Sequence, residues 1–329
     1  MTRDGRPKGI AEGGRCWCSK RAKDSLKPVR ARVRFPHPPP ISLPPPVARD
    51  ERLLEDFAEP VREGASPAPL GGMLSGSPKE GRLLGLHKGT LLKLLVEAGE
   101  RVERFMTAAI RGVAIEDVEC DEVWGFIARK EKTKRRKRSS GSHQSDSYLR
   151  IGLHRRSKLV LAHHVSRRTN QAADAFAEKL DRATGGRFQI STDSFEPYVD
   201  SLNFHLGTRT SHGMIHKEFG YEEEGGRRYS PPRLIGAEKA TSYGEPDYDR
   251  IGTSYVERWN LSLRTGMKRM TRLTIAFSRC WRNHKAALAL WIGYYNFVVS
   301  NRAVKMPPAM AAGLTSRPLP MRDLLEAAS

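Results

Sequence analysis

Acidic side chains in three separate segments have the residue types needed for metal-assisted chemistry at phosphorus. In VECDEVWGF, Glu119 and Asp121 share one face of an alternating, strand-like stretch, and Glu122 lies on the other face. Asp193 ends the apolar run of RFQISTDSF, and Glu257 lies in the helix-like segment TSYVERWN. Carboxylates held together repel one another, and Mg²⁺ or Mn²⁺, which prefer oxygen ligands, would relieve that repulsion.

Two such ions about 3.5 to 4 Å apart would activate an attacking oxygen and stabilise a leaving oxygen in an in-line displacement at phosphorus.

Each acid also has an ordinary structural explanation. Asp121 could pair with an arginine, and Asp193 could be a turn residue. Glu257 could form a surface ion pair with the adjacent Arg258. Residue type and spacing leave both interpretations open.

The charge balance points to a polyanionic partner. The 329 residues include 57 Lys and Arg against 37 Asp and Glu, a formal net charge of +20, which favours nucleic acid or an anionic membrane surface. The longest apolar run, residues 286–299, is shorter than the roughly 18 residues that a membrane span takes. From the length of this run we expect a protein that does not bind a membrane. The four cysteines are too scattered for a disulfide framework, so we expect the protein to be cytoplasmic.

A basic run, RKEKTKRRKR at residues 129–138, follows the first predicted strand. One interpretation is a solvated, flexible loop, because like charges resist folding. Since the run enters the first hairpin close to Asp121, contact with the phosphates of DNA is the competing interpretation. The DNA-contacting residues would then be Lys134, Arg135, Arg136, Lys137 and Arg138.

The N-terminal part of the chain differs in composition from the rest. Residues 1–80 are predicted to be disordered, because 13 of the 21 prolines lie within residues 1–85. Residues 81–112 predict a helix that ends near Gly99. It is interpreted either as the second helix of a partial helix-turn-helix, with Lys88 contacting DNA, or as an amphipathic packing helix.

Residues 113–315 predict one α/β domain with a mixed sheet covered by helices, because a strand, a hairpin, a helix and a further strand follow in order. The hairpin turns at residues 154–158, and Asn170 is expected to cap the helix after it. Residues 207–251 are expected to form an irregular insertion. Residues 316–329 are interpreted as a C-terminal tail.

Two long helices are predicted near the C-terminus. The first begins at Thr253 or Ser254, and the second covers about residues 279–299. Helical spacing separates the first helix into an apolar side with Tyr255, Val256 and Trp259, and a polar side with Glu257, Asn260, Arg264 and Lys268.

The segment TSYVERWNLSLRTGMKRMTRLTIAFSRCWRNHKAALALWIGYYNFV resembles the DDE transposases of bacterial insertion sequences, in particular the group related to insertion sequence one. Further blocks resemble that family in the same order: CDEVWGF, STDSFEPY, RRYSPPRLIGAEK and PAMAAGL. The resemblance covers about residues 85–318. It implies a ribonuclease-H-like fold with Asp121, Asp193 and Glu257 as the catalytic triad that binds Mg²⁺ or Mn²⁺.

The resemblance also implies a reaction and its partners. Double-stranded DNA would be cut at the terminal inverted repeats of the element and joined to target DNA, by a homo-oligomer at the nucleoid of a bacterium. Asn260 and Arg264 match positions that orient the last acid and contact phosphate, and Lys268 follows as a further DNA contact. The family's upstream helix-turn-helix is reduced here to REGASPAP and a proline-rich stretch. The alternative is therefore a decayed, inactive transposase that only binds DNA.

Overall fold

The structure, a computed structural model, describes residues 86–137, 141, 144–193, 197–220 and 233–327. The predicted disorder of residues 1–80 and the predicted DNA contact of Arg138 lie outside these residues.

The centre of the described chain is a mixed sheet. Six strands are hydrogen-bonded in the order β4-β3-β2-β6-β7-β8, and β1 pairs separately with β5. The pairs β2–β6 and β6–β7 are parallel, and the other pairs of the sheet are antiparallel. The strands are β1 (Val113–Ala114), β2 (Asp117–Ile127), β3 (Ser145–His154), β4 (Val160–Ser166), β5 (Thr184–Gly185), β6 (Phe188–Asp193), β7 (Thr210–Gly220) and β8 (Arg233–Tyr243).

Helices cover both faces of this sheet, which confirms the predicted mixed α/β class. Short 3-10 turns occupy Gly207–Arg209, Tyr248–Arg250 and Lys268–Met270. The α-helices are α1 (Lys88–Ala109), α2 (Glu131–Arg136), α3 (Asn170–Ala183), α4 (Pro197–Leu206), α5 (Ser254–Gly266), α6 (Trp281–Phe297), α7 (Pro308–Ala311) and α8 (Met321–Ala327). Among the helices described, none is both long and apolar enough to cross a membrane.

The two sides of the sheet carry different helices. Gly152 of β3 lies directly under Leu180 and Phe176 of α3, where a β-carbon would be 3.0 Å from the Leu180 side chain. The opposite side carries α5, whose backbone is hydrogen-bonded by Glu119 of β2. The central strands therefore lie between two helical layers, and their apolar side chains form one core with those of the helices.

The predicted hairpin and the helix after it are present, with one correction at the helix start. Asn170 is the first helical residue, and the cap is Thr169, whose hydroxyl accepts a hydrogen bond from the Ala172 amide at 3.3 Å. Thr169 has extended backbone angles, as an N-cap requires. Both residue types favour a helix start, so sequence alone could not choose between adjacent candidates.

The prediction of an irregular insertion over residues 207–251 is wrong for most of its described part. β7 extends the sheet in parallel next to β6, and β8 pairs antiparallel with β7. Their outer halves are exposed, including Phe219 and Ile235. An exposed edge does not need alternating apolar residues, so the period of two that indicates a strand is absent here.

Helix α1 belongs to the core, as the packing-helix interpretation expected. Leu95, Val102, Phe105 and Met106 are buried in the common hydrophobic cluster, and α1 packs along α6. The first helix of a helix-turn-helix would precede residue 86, outside the described residues, so that motif stays a prediction. The C-terminal segment is also more than a tail, because Leu324 and Leu325 of α8 are buried in the same core.

Gly99 does not end α1, contrary to expectation, because the helix continues to Ala109. A β-carbon at Gly99 would lie 2.3 Å from the backbone carbonyl oxygen of Ala286 in α6. The absence of a side chain therefore allows two helix backbones to approach each other closely.

We predict that Gly99→Ala destabilises the fold by about 1 to 3 kcal/mol, because the new methyl group must push the two helices apart. In an open helix the same change would be stabilising by up to about 1 kcal/mol. The control is Gly252→Ala, where no heavy atom lies within 4 Å of the added β-carbon. Urea unfolding of both variants measures the difference, and equal stability would contradict the close-packing role.

Candidate functional site

The acids of β2 point to opposite sides of the sheet, as the alternation predicted. Glu122 faces away from α5 and accepts ion pairs from Arg150 and Arg168, each at 3.0 Å. Arg150 is fully buried, so removing Glu122 would leave an uncompensated charge in the interior. Glu122 is therefore explained by the stability of the sheet.

Glu119 lies on the other side and is 1% exposed. One of its carboxylate oxygens, Oε2, accepts hydrogen bonds from the amides of Tyr255 at 2.8 Å and Val256 at 3.0 Å, the second and third residues of α5. Thr253, the N-cap by position, makes no side-chain cap hydrogen bond. A strand carboxylate thus caps the helix from another part of the chain, and burial raises its pKa.

Asp121 and Asp193 come from neighbouring parallel strands. Glu119 of β2 is level with Ser191 of β6, and two further residues along each strand lead to Asp121 and Asp193. Both strands run in the same direction, so the two carboxylates reach about the same level of the sheet. The α/β order predicted these positions only as ends of separate strands.

Asp121 accepts two hydrogen bonds and has a raised pKa. Its Oδ2 accepts a hydrogen bond from Nδ2 of Asn260 at 2.6 Å, and its Oδ1 accepts one from the Glu122 amide at 2.7 Å. Burial raises the pKa of Asp121 to about 7, and the charges of Asp193 and Glu257 add to that increase. The like charges of the three acids therefore act on one another.

Glu257 lies in the first turn of α5 and is engaged by a lysine. Lys217 of β7 forms an ion pair with Glu257 and donates a hydrogen bond to the Thr253 hydroxyl at 2.8 Å. That hydroxyl donates in turn to Oε1 of Glu257 at 2.8 Å. The Glu257 side chain is 47% exposed. The structure thus gives Glu257 an ion-pair partner different from the adjacent Arg258.

No group of three or more His, Cys, Asp or Glu side chains is arranged to hold a metal ion within the part of the chain that the structure describes. The residues nevertheless fit a divalent cation by their chemistry. Asp121 and its two acidic neighbours supply hard oxygen donors, and burial together with the charges of Asp193 and Glu257 raises the pKa of Asp121. Oδ1 of Asn260, buried beside Asp121, has no hydrogen-bond partner in the described residues.

The polar side of α5 is only partly as predicted. Asn260 contacts Asp121 as described, whereas Arg264 donates hydrogen bonds to the carbonyls of Met270 at 2.9 Å and Trp124 at 3.4 Å. Lys268 lies beyond the end of α5, in the 3-10 turn, and is exposed. Tyr255 is half exposed, not part of an apolar side, with the Lys158 ammonium 3.3 Å from its ring centroid.

The other predicted DNA-contacting residues lie on α1, on α2 and just after α2, and these elements carry none of the three acids. Lys88 is the exposed first residue of α1. Lys134, Arg135 and Arg136 lie on α2, followed by Lys137. The basic run is a short helix there, so the expectation of a loop is wrong, because Glu131 and three basic residues suit opposite ends of a helix dipole.

The position of the basic run also differs from the expectation. β2 continues six residues beyond Asp121 to Ile127 before α2 begins. At a strand rise of about 3.3 Å per residue, α2 lies roughly 20 Å along the strand from Asp121. Contact of this helix with phosphates stays a prediction, and on this estimate it would take a duplex that extends along the strand from the acids.

Sequence reasoning missed two residues of this site. Lys217 lies in the segment expected to be irregular, so nothing indicated that it would face Glu257. Glu119 was recognised only as a competitor of Asp121, and its capping role depends on a helix 136 residues later. Both contacts are long-range, and no local pattern carries them.

No protein-family model matches the sequence, and no curated protein matches it. The resemblance to DDE transposases therefore depends on the sequence blocks themselves.

We predict that Glu119→Ala destabilises the protein by about 1 to 3 kcal/mol, because two buried amides of α5 lose their acceptor. Glu119→Gln keeps a carbonyl oxygen at the same place and should lose much less. Urea unfolding of the two variants makes the comparison. Equal losses would show that the carboxylate does not act as a cap.

A second prediction concerns pH. Asp121 binds its proton more tightly when folded, since its pKa is raised from 3.8 to about 7. The free energy of unfolding should therefore fall as pH rises from about 4 to about 7, and Asp121→Asn should remove that fall. At pH 8 in EDTA we expect the variant to be more stable than the wild type by about 1 to 3 kcal/mol.

The difference should be small at pH 4, where Asp121 is protonated in the folded state and about half protonated in the unfolded state. Adding Mg²⁺ or Mn²⁺ at pH 8 should stabilise the wild type and leave Asp121→Asn unchanged. Thermal unfolding of both proteins at the two pH values is the measurement, with Asp200→Asn, an exposed acid of α4, as control. A variant that is less stable than the wild type at pH 8 would refute the assignment.

Proposed function

We propose that this chain is a DDE transposase that cuts double-stranded DNA at the ends of an insertion sequence and joins those ends to target DNA. The proposal is supported by the register of β2 and β6, which brings Asp121 and Asp193 to about the same level of the sheet, and by the charges of Asp193 and Glu257, which together with burial raise the pKa of Asp121. Acids that repel one another are unfavourable for stability, and perturbed pKa values of this kind cluster at functional sites.

The fold supports the same function. A mixed sheet in the order β4-β3-β2-β6-β7-β8, with helices on both sides, is compatible with a ribonuclease-H-like domain. Asp193 ends β6, a position at the carboxyl end of a parallel strand where open α/β sheets place functional groups. The sequence blocks that resemble the transposase family contain all three acids.

Mg²⁺ or Mn²⁺, when bound, would supply charge stabilisation for an in-line displacement at phosphorus. Asp121 and Asp193 would be the ligands that the sheet holds in place, and Glu257 would be the ligand from the helix. Asn260 orients Asp121 through its 2.6 Å hydrogen bond. Lys217 and Thr253 both engage Oε1 of Glu257, which would leave Oε2 to serve as the ligand.

The partners follow from the same proposal. Double-stranded DNA is the substrate, as terminal inverted repeats and as target, and the chain works as a homo-oligomer on paired ends in the bacterial cytoplasm, at the nucleoid. The net charge of +20 favours such a polyanion and strengthens its capture at low salt.

A second candidate is a catalytically inactive relative that only binds DNA. It is favoured by the engagement of Glu257 with Lys217 and by the lack of a three-acid metal group in the described residues. In that case the acids would have no catalytic role, and the chain would only bind DNA through its basic side chains.

The test is DNA nicking by the full chain, with labelled duplex from the ends of its own element and with Mg²⁺ or Mn²⁺. We expect metal-dependent nicks, and a loss of at least about 100-fold in Asp121→Asn, Asp193→Asn and Glu257→Gln. Asp200→Asn, an exposed acid-to-amide change, should keep the wild-type rate. Wild-type protein that binds the ends yet cuts no more than Asp193→Asn would support the inactive alternative.

A further inference from the structure

Helix α2 and the loop of residues 271–280 form one surface at the far end of the β2–β3 hairpin, here called the hairpin-tip surface. The Ala128 amide donates a hydrogen bond to the Ser278 carbonyl at 2.7 Å. The rings of Phe126 and Phe277 pack with their centroids 5.1 Å apart. The start of α2 is tied to β3, because the Glu131 amide donates to Oδ1 of Asp146 at 2.9 Å.

The loop of this surface is held by its own contacts. The Thr271 hydroxyl donates to the Arg264 carbonyl at 3.1 Å, and the Ala276 amide donates to the Thr274 hydroxyl at 2.9 Å. The Ser278 hydroxyl is within 2.9 Å of Nδ1 of His284, which is buried. A loop fixed in this way loses little conformational entropy when it binds a partner.

Two large apolar side chains project from this fixed loop into solvent. Ile275 is 99% exposed and Leu273 is 69% exposed. Their neighbour Phe277 packs against the hairpin. Phe277 therefore supports the loop, whereas Leu273 and Ile275 are exposed to solvent. Two apolar side chains exposed close together on one ordered loop form a candidate contact for a partner.

The two segments that form this surface carry mostly positive charge. Glu131 is the one acid in the sequence of residues 128–137 and 271–280. Arg272 and Arg279 lie on either side of the apolar pair in the loop. The basic residues of the surface are Arg129, Lys130, Lys132, Lys134, Arg135, Arg136, Lys137, Arg272 and Arg279.

We propose that the hairpin-tip surface binds duplex DNA and that Leu273 and Ile275 insert between base pairs as an apolar wedge. Proteins that kink DNA combine such wedges with basic contacts to the flanking phosphates. The inference rests on the proposed function for its choice of partner. It adds a site of DNA distortion separate from the acids.

The location of the surface suits a single duplex that also reaches the acids. The hairpin places its tip roughly 20 Å from Asp121 along β2, and 20 Å is about six base-pair steps of 3.4 Å. The wedge would therefore act about half a helical turn from the bond that is cut. A kink there would bend the duplex onto the protein surface.

An anionic membrane and a second copy of the chain are the other occupants to be tested. Two isolated apolar side chains cover little area for membrane insertion, which takes a broad apolar face. A second copy would bring the same positive charge against itself, and like charges repel. Duplex DNA is anionic and offers apolar base faces at regular steps, so it matches both features of the surface.

The experiment uses the full chain in EDTA and a duplex of about 30 base pairs with a donor and an acceptor dye at its ends. Binding of the wild type should raise energy transfer between the two dyes, because bending the duplex brings its ends closer together. The double variant Leu273→Ala/Ile275→Ala should abolish that rise and weaken binding roughly ten-fold, with the salt dependence of affinity unchanged.

Two control variants separate the effect of the apolar wedge on DNA bending from the effect of the basic residues on affinity. Ile235→Ala removes an equally apolar side chain, 70% exposed on β8, and should bend DNA like the wild type. Arg135→Gln/Arg136→Gln should keep the bend and lower the slope of log affinity against log salt by up to about 0.9 per lost phosphate contact.

Several results would overturn the proposal. Bending by the double variant equal to that of Ile235→Ala would exclude the wedge, and so would a wild type that binds DNA without bending it or binds no DNA. Loss of binding to phosphatidylserine vesicles, or loss of self-association, in the double variant alone would assign the surface to those partners instead. Nicking is measured separately with metal, so absent nicking with a normal bend rejects only the proposed function.

Discussion

The buried carboxylate of Glu119 is the contact on which the candidate site depends. It joins the middle of β2 to the first amides of α5, so the strand that carries Asp121 and the helix that carries Asn260 and Glu257 are held in one relative position. Helix ends have unsatisfied amides that must find acceptors, and a carboxylate also suits the positive end of the helix dipole. An acid that looks misplaced on an apolar strand therefore assembles the site without belonging to its chemistry.

The electrostatics of the site follow from this assembly. Asp121 and Asp193 are brought level by parallel strands, and α5 adds Glu257 from above the sheet. Lys217 then balances part of the negative charge by pairing with Glu257. Burial raises the pKa of Asp121, and the charges of Asp193 and Glu257 raise it further in spite of Lys217. That residual repulsion is what a divalent cation would neutralise, which connects the fold to the proposed reaction.

Sequence reasoning succeeded where a local pattern reflects a tertiary demand. Alternation placed Glu119 and Asp121 on one side of β2 and Glu122 on the other, and β6 ends at Asp193 as expected. It failed where exposure removes the pattern, as in β7 and β8, and where one residue type serves two purposes. Gly99 illustrates the second case, since glycine ends helices and also permits close helix packing, and only the position of Ala286 decides between them.

The sequence by itself determined the mixed α/β class, the bounds of the central strands to within a few residues, and the set of acids worth considering. These properties depend on periodicity and composition, which act over a few residues. Only the tertiary structure decided that Glu119 caps α5, that Lys217 pairs with Glu257, and that the basic run is a helix about 20 Å from Asp121. The first two are contacts between segments far apart in the chain, and they exist only after the sheet and helices have packed. The third depends on how far β2 extends beyond Asp121.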